Sequence, residues 1–577
     1  MNDQKLENLL NLALDSTESE RMRSANLGVG YDESANTWEV IIKYTGELEN
    51  VRQIAEEVTE LFGGFAVVRI RESALELLTD IPQVTFVEKP KALYFALQSA
   101  REASCLTSVQ RGIEELSGKG VIFACVDSGV SYTHPDFRNE DGSTRILYLW
   151  DQTISGNPPR GYNRGTEYTA QQINEALLAE TAQERRRIVP SEDISGHGTS
   201  VLGIGAGNGR GSGGRLRGVA YEADLIVVKL GTPGSSGFPR TTELMEGVDY
   251  CIRKAVELQK PVAINLSFGN NYGNHRGGSL LESYLDTVAG VGKNTICVGM
   301  GNEGTAGVHQ ALVLTEEESV TVEFSVGEYQ VSTNLQLWKS YTDRVRIFIE
   351  GPDGTVAGPI EENLGTQRFR LKNTELLVYY GTPTPYGVQQ EIYIDFLPTG
   401  QYLPSGVWKL RIEPIEIIWN LADLWLPVSE TANLRTRFLR PSVAGSFTVP
   451  AAAFNVISVA AYDSFTDSYA DFSGRAFNVL PWAGKPDLAA PGVDIQAPAA
   501  GGGYRSVTGT SFATPFVTGS AALLMEWGIV RGNDPFLYGN KVKAYLRRGA
   551  RRLPGFTETP NFRVGYGALC VEDSLPE

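Results

Sequence analysis

A chain of 577 residues is longer than one hydrophobic core organises, so about two to four structural units are expected. Hydrophobic residues make up 42% of it and charged residues 21%, with no long polar tract, which excludes wholesale disorder. A formal charge of −17 leaves no basic surface to neutralise phosphates, and this argues against nucleic acid or an anionic membrane as partner.

The opening segment MNDQKLENLLNLALDSTESE has no basic stretch leading into an apolar one, and Glu7, Asp15 and Glu18 interrupt it. No secretory signal or transmembrane helix is read there, and a cytoplasmic location is expected. Cys105, Cys125, Cys251, Cys297 and Cys570 are scattered without CxxC spacing. The expectation is buried, reduced thiols, with neither disulfide nor zinc site, as in a reducing compartment.

Residues 36 to 96 read as a small α/β unit, within a first domain spanning 1–96. Trp38 to Tyr44 forms a strand. Val51, Ile54, Val58, Leu61 and Phe62 recur at helical spacing, and Phe65 to Ile70 is a second strand. A helix from Glu72 to Thr79 and a strand from Gln83 to Glu88 complete a β-α-β-α-β order of ferredoxin type.

From Lys119 the pattern changes. VIFACVDSG, ADLIVVK, PVAINL, TICVGM and VISVAA are continuous apolar runs alternating with helical stretches such as Leu244 to Gln259. Runs of this kind mark strands buried on both faces, so the fold class is α/β with a doubly wound parallel sheet, over 97–310 and 445–577. Between them, 311–444 holds period-two strands; in Ile392, Ile394 and Phe396, or Trp408, Leu410 and Ile412, one face is apolar. That segment reads as an inserted antiparallel β-sandwich.

Three motifs carry chemistry. Asp127 ends an apolar strand in VDSG, His197 lies in DISGHGTSVLGIGAG, and Ser511 lies in TGTSFATPFVTGSAALL. Amide hydrolysis by serine needs a nucleophile, an imidazole to take its proton, a buried acid to hold the imidazole, and donors for the oxyanion. Glycines flanking His197 admit close backbone approach, and the small residues after it suit a tightly packed helix. Gly509 permits a sharp turn, Ser511 opens a helix whose N-terminus favours negative charge, and Pro515 is expected in the first turn. Acid, base and nucleophile follow in the order Asp, His, Ser. His134, in THPDF, lies only seven residues beyond Asp127 and is a second histidine near the acid, and His275 and His309 are expected on the surface.

With these motifs, INLSFG at 264–269, GMGNEG at 299–304 and KPDLAAPGVDI at 485–495, the chain resembles the subtilase family of subtilisin-like serine proteases. The resemblance implies an endopeptidase working through an acyl-enzyme. Asn302 and the Ser511 backbone N–H would form the oxyanion hole, and Ser267, Phe268 and Gly269 would be the edge that pairs with an extended substrate. By the same resemblance His134 is a structural histidine and Asp136 matches a calcium ligand of many secreted members, but NGRGSGGRLRG is basic and suits a hard cation poorly, so calcium is left open without being expected and no other cofactor or metal is expected.

The long segment between Asp127 and His197, with RILYLWDQT and GTEYTAQQINEAL, and the β-rich insertion resemble the Csp-type germination proteases within that family. This implies a spore-associated enzyme that activates a protein zymogen such as a spore-cortex hydrolase, and an insertion of jelly-roll type. The first domain would be a prodomain that templates folding and stays bound as inhibitor. Self-cleavage would fall at Tyr94, Phe95, Ala96, Leu97 or Gln98, in a segment expected to be extended. Partners would be a protein or peptide substrate and the prodomain itself. The competing reading is a catalytically silent scaffold.

Overall fold

In the strand Thr37–Tyr44 the buried residues Trp38, Val40 and Ile42 present one apolar face that needs a core. This strand pairs antiparallel with Phe65–Arg71 and with Val84–Glu88, and Phe65–Arg71 pairs onward with Glu57–Leu61. Taken across the sheet these are the second, third, first and fourth strands of the set, a ferredoxin-type arrangement. One of them corrects the sequence reading. The helix expected to run on through Leu61 stops as a single turn, Glu49–Arg52, and Glu57–Leu61 is a strand. Helical spacing there loses to a hairpin: Gly63 and Gly64, at φ of 77° and 75°, reverse the chain so that Leu61 pairs with Phe65. Phe62 lies outside the described residues.

The computed structural model describes residues 5–17, 21, 28, 30–61, 63–90, 96–111, 114–231, 233, 239–363, 365–383, 388–429, 433, 435–478 and 484–576, without the side chains of 8, 9 and 96–99. They fall into two compact units, Met1–Phe95 and Ala96–Glu577.

The second unit is built on a nine-stranded sheet. Its strands are β1 (Ile122–Asp127), β2 (Ile146–Asp151), β3 (Thr166–Thr169), β4 (Asp224–Lys229), β5 (Val262–Leu266), β6 (Asn294–Gly299), β7 (Ile457–Asp463), β8 (Ser468–Tyr469) and β9 (Leu488–Pro491). The spatial order is β8-β7-β6-β5-β1-β4-β2-β3, with β9 alongside β7. Only the short edge strands β3 and β8 run antiparallel. Both faces are covered, as the apolar runs required: Phe123 and Cys125 of β1 enter one core layer, and Ile122, Ala124 and Val126 the other.

Helices α1 (His197–Ala206) and α3 (Thr510–Met525) pack on the Phe123 side, and α2 (Thr241–Glu257) packs on the opposite side. The approach of α1 depends on glycine: a Cβ on Gly205 would stand 2.1 Å from the Phe123 ring, and one on Gly203 would stand 2.3 Å from Pro498. Overpacking of that kind costs about 1–3 kcal/mol. The helix that begins as α3 continues to Val530 and has the length and apolarity of a membrane span, but most of it is buried inside the protein.

The insertion consists of two antiparallel sheets, of six and five strands, that share one core containing Phe324, Leu337, Ile394 and Trp408. Its strands run from His309–Val313 to Arg437–Phe438. Trp338 and Trp425 point away from that core and pack with Phe447 and Phe477 of the α/β layer. Here the expectation of surface histidines fails. His275 stacks on the Trp425 ring at 4.3 Å and 3°, and His309 lies against the same ring at 4.8 Å. Both are buried, and burial pulls the His275 imidazole down to about 3. The loop holding His275 is tied to the insertion by Asn271 Nδ2 donating to the Leu426 carbonyl and Gln336 Nε2 donating to the Asn271 carbonyl.

The cysteine expectation is corrected in part. Cys125, Cys251 and Cys297 are buried free thiols, but Cys105 and Cys570, 465 positions apart, are joined in a disulfide with Cα atoms 4.9 Å apart. Spacing cannot signal a pair brought together only by the fold.

Candidate active site

Asp127 is the last residue of β1, where the buried strand ends and the chain turns through Gly129 at φ 113°. Its carboxylate is fully buried. His197 is the first residue of α1, behind Gly196 at φ 71°. A side chain at Gly198 would collide with the Gly129 carbonyl at 2.3 Å and crowd Asp127 Oδ1 at 3.1 Å, so the glycine lets α1 begin against β1. His197 Nδ1 lies 2.7 Å from Asp127 Oδ1, and that oxygen also accepts the Ser128 N–H at 2.7 Å. With Nδ1 as donor to the acid, Nε2 is the acceptor of the neutral ring.

Burial works against a charged His197, but the charge and hydrogen bond of Asp127, followed by the charge of Asp193, hold the imidazole above its ordinary value; Arg505 opposes them. Phe512 and Phe268 flank the ring at 5.3 and 6.0 Å.

Ser511 is the second residue of α3. Pro515 is the sixth, and so sits in the second turn and not the first as expected. Its missing N–H would have bonded the Ser511 carbonyl. Ser267 Oγ donates to that carbonyl instead, at 3.1 Å. Ser511 Oγ in turn donates to the Ser267 carbonyl at 3.3 Å, and among the described residues no hydrogen bond joins it to His197. Ser267 is itself held by Asn265 Nδ2, and Asn265 Oδ1 by Thr518 Oγ1. The sequence offered no signal for this polar ladder under the serine.

A cleft of about 50 Å³ is lined by Ser267, Phe268, Gly269, Asn302, Thr448 and Ser511 among others. Gly269 and Gly301 are both obligatory beside Thr448, whose Oγ1 would lie 2.3 and 2.5 Å from a Cβ at either position. Asn302 Oδ1 accepts the Thr510 N–H at 3.0 Å and Thr510 Oγ1–H at 3.1 Å. That fixes the amide so that its two N–H donors are left for a ligand in the cleft. Asp127 and His197 are thus paired, and the His197 ring lies against Phe512 and Phe268, the chain neighbours of Ser511 and Ser267 in the cleft, at the carboxyl ends of parallel strands where sites in such sheets collect.

His134 is buried and structural: its Nε2 donates to the Gly503 carbonyl at 3.1 Å and its Nδ1 accepts the Asp136 N–H at 3.2 Å. Calcium does not fit at Asp136. Both its carboxylate oxygens accept the Tyr504 O–H at 2.9 Å, and Oδ1 accepts the Gly211 N–H at 2.8 Å. The Arg145 guanidinium takes the carbonyls of Asp136, Ala206 and Ala223. Protein donors already fill this region where a hard cation would need free oxygen ligands.

Of the expected self-cleavage segment, Tyr94 and Phe95 lie outside the described residues. Ala96, Leu97 and Gln98 open the helix Ala96–Ala103, so they are not extended as expected.

The subtilase family model matches residues 118–382 and 440–567. The chain belongs to the subtilase family. Ahead of that subtilase region, residues 4–91 match the Csp protease B prodomain. Among solved structures the chain is similar to the CspB protease of Clostridium perfringens, at 35% identity and a TM-score of 0.76, over 82% of this chain and 96% of that one. Its fold is therefore the subtilisin-like α/β fold preceded by a prodomain. Two subtilase relatives are serine protease AprX of Bacillus subtilis (strain 168) and the PII-type proteinase of Lactococcus lactis subsp. cremoris. The first is 30% identical over 43% of this chain and 48% of the relative, the second 23% over 89% and 28%. The chain thus spans 48% and 28% of the length of these two subtilases.

Proposed function

We propose that the chain is a serine endopeptidase that hydrolyses peptide bonds through an acyl-enzyme. The observation that carries this is the 2.7 Å pairing of His197 with the buried Asp127, the His197 ring lying 6.0 Å from Phe268 of the cleft that Ser511 and Asn302 line. Ser511 Oγ is one staggered rotation about χ1 from leaving the Ser267 carbonyl. In the reaction it turns to His197 Nε2, gives up its proton there and attacks the substrate carbonyl carbon. Asp127 holds Nδ1–H and stabilises the imidazolium that forms. Asn302 Nδ2 and the Ser511 N–H at the start of α3 donate to the developing oxyanion. His197 then protonates the leaving amine, and water resolves the ester by the same path. Segment 267–269 pairs with the substrate main chain.

The same site would cut its own chain once near residues 94–98, either ahead of the helix Ala96–Ala103 or after its first turn unwinds. The prodomain would remain bound as an inhibitor. By likeness to the Csp group, the substrate is a protein zymogen such as a spore-cortex hydrolase acting in germination, and the insertion is of jelly-roll type. The orientation of Ser511 toward Ser267 is the one observation that favours a silent scaffold.

Expression of wild type and Ser511→Ala decides between them. Wild type should yield two fragments on a denaturing gel and label with a fluorophosphonate, and the variant should stay whole and unlabelled. A wild-type chain that stays intact and takes no label would establish the scaffold.

A further inference from the structure

We infer that Asp193 is a positioning residue for the acid–base pair, clamping the strand end that carries Asp127 to the helix start that carries His197. The inference deepens the endopeptidase reading and rests on it. Asp193 sits in the loop before α1 and is buried. Its Oδ1 accepts Ser128 Oγ–H at 2.8 Å and the Gly196 N–H at 2.9 Å, with Ser195 Oγ at 3.2 Å. Its Oδ2 accepts the Thr199 N–H at 2.8 Å and Thr199 Oγ1–H at 2.6 Å. Gly196 and Thr199 bracket His197, and Ser128 follows Asp127, so one carboxylate grips both sides of the pair.

The hydroxyls it orients carry the grip further. Ser128 Oγ, its proton given to Asp193, accepts the Gly198 N–H at 2.9 Å, and Thr199 Oγ1 accepts the Ser131 N–H at 2.9 Å. Among the described residues Asp127 Oδ1 meets only His197 and the Ser128 N–H, and Oδ2 is buried without a hydrogen-bond partner. Ser128 and His197 are the two residues that meet the acid, and Asp193 holds the hydroxyl of Ser128 and the residues on either side of His197. On a buried carboxylate such hydrogen bonds are strong because each is charge-assisted.

The clamp also acts through charge. Burial would raise the Asp193 carboxyl, but the hydrogen bonds from Thr199, Ser128 and Gly196 hold it below the usual carboxylate range, so it is ionised at neutral pH. The charges bearing on His197 are Asp127 from β1, Asp193 from the loop, and Arg505 from the strand Tyr504–Val507, which donates to the Gly196 carbonyl at 2.8 Å.

The test compares wild type, Asp193→Asn and Ser128→Ala in the full chain. Asp193→Asn should lower kcat about 10- to 100-fold with KM little changed, as expected for misplacement of a catalytic group, and should move the acid limb of the pH profile to lower pH. Ser128→Ala keeps the charge and cuts the bridge to Gly198; it should lower kcat and leave the acid limb in place. Titration of the His197 ring by NMR reads the same Asp193→Asn shift whether or not the chain cleaves anything, so failure of the endopeptidase reading is distinguishable. Wild-type kcat with an unmoved His197 titration in Asp193→Asn would overturn the proposal. If that variant does not fold, unchanged kcat in Ser128→Ala would overturn it.

Discussion

Substitution of Asn302 separates two jobs that one amide performs. Its Nδ2 is the donor assigned to the oxyanion, and its Oδ1 accepts both the N–H and the hydroxyl of the buried Thr510. Asn302→Ala removes both functions. One oxyanion donor is worth about 2.7–4 kcal/mol in subtilisin itself, so kcat should fall roughly 100- to 1000-fold. The Thr510 N–H left without an acceptor should cost a further 1–3 kcal/mol, approximately, in stability. Asn302→Asp keeps the acceptor and replaces the donor with negative charge. It should lose at least as much kcat and little stability. Steady-state kinetics on a chromogenic peptide, with active sites counted by fluorophosphonate, and urea denaturation of the same samples would check both numbers. An Asn302→Ala enzyme with wild-type kcat would refute the oxyanion assignment, and equal destabilisation by the two variants would refute the role given to Oδ1.

Because Asp127 and Asp193 raise the His197 imidazole against the effect of burial, the rate should fall with acid from a point above the ordinary histidine value of about 6.5. A kcat/KM profile flat from about pH 5 to 8 would count against that base. Trp425→Ala, which empties the seat between His275 and His309 and frees the Gly445 carbonyl from Trp425 Nε1, should destabilise the chain by about 3–5 kcal/mol. An unchanged melting temperature would show that the insertion is anchored elsewhere. Burial would raise the Asp487 carboxyl, but Lys485, Lys543 and Arg547 outweigh it and hold it far below the usual range. Its folded value is below its unfolded one, so the stability it confers is present above about pH 4 and is lost as pH falls toward the folded value. Asp487→Ala should cost about 3–5 kcal/mol at neutral pH by leaving buried cations unpaired, and urea curves of the two proteins should converge in acid.

The parallel strands were legible because burial on both faces leaves an unmistakable apolar run, as in VIFACVD. His197 and Ser511 were legible because close packing there forces glycine and small residues around them, as the 2.3 Å approach at Gly198 shows. The strand Glu57–Leu61 was not, since its apolar spacing also satisfies a helix and only pairing with Phe65–Arg71 settles which forms. Asp193, Ser128, Asn265 and Thr518 are ordinary polar residues whose importance lies in partners up to 253 positions away. His275 and His309 read as surface residues because the ring between them, Trp425, is far along the chain.

The Cys105–Cys570 bond bears on what any cut ahead of the helix Ala96–Ala103 would leave behind. A fragment that starts there has Cys105, two residues past its first helix, shackled through sulfur to Cys570, the residue just before Val571–Ser574. Unravelling past Cys105 from one tip, or past Cys570 from the other, pulls on both ends at once. A reductant would undo that shared knot without touching any group in the cleft.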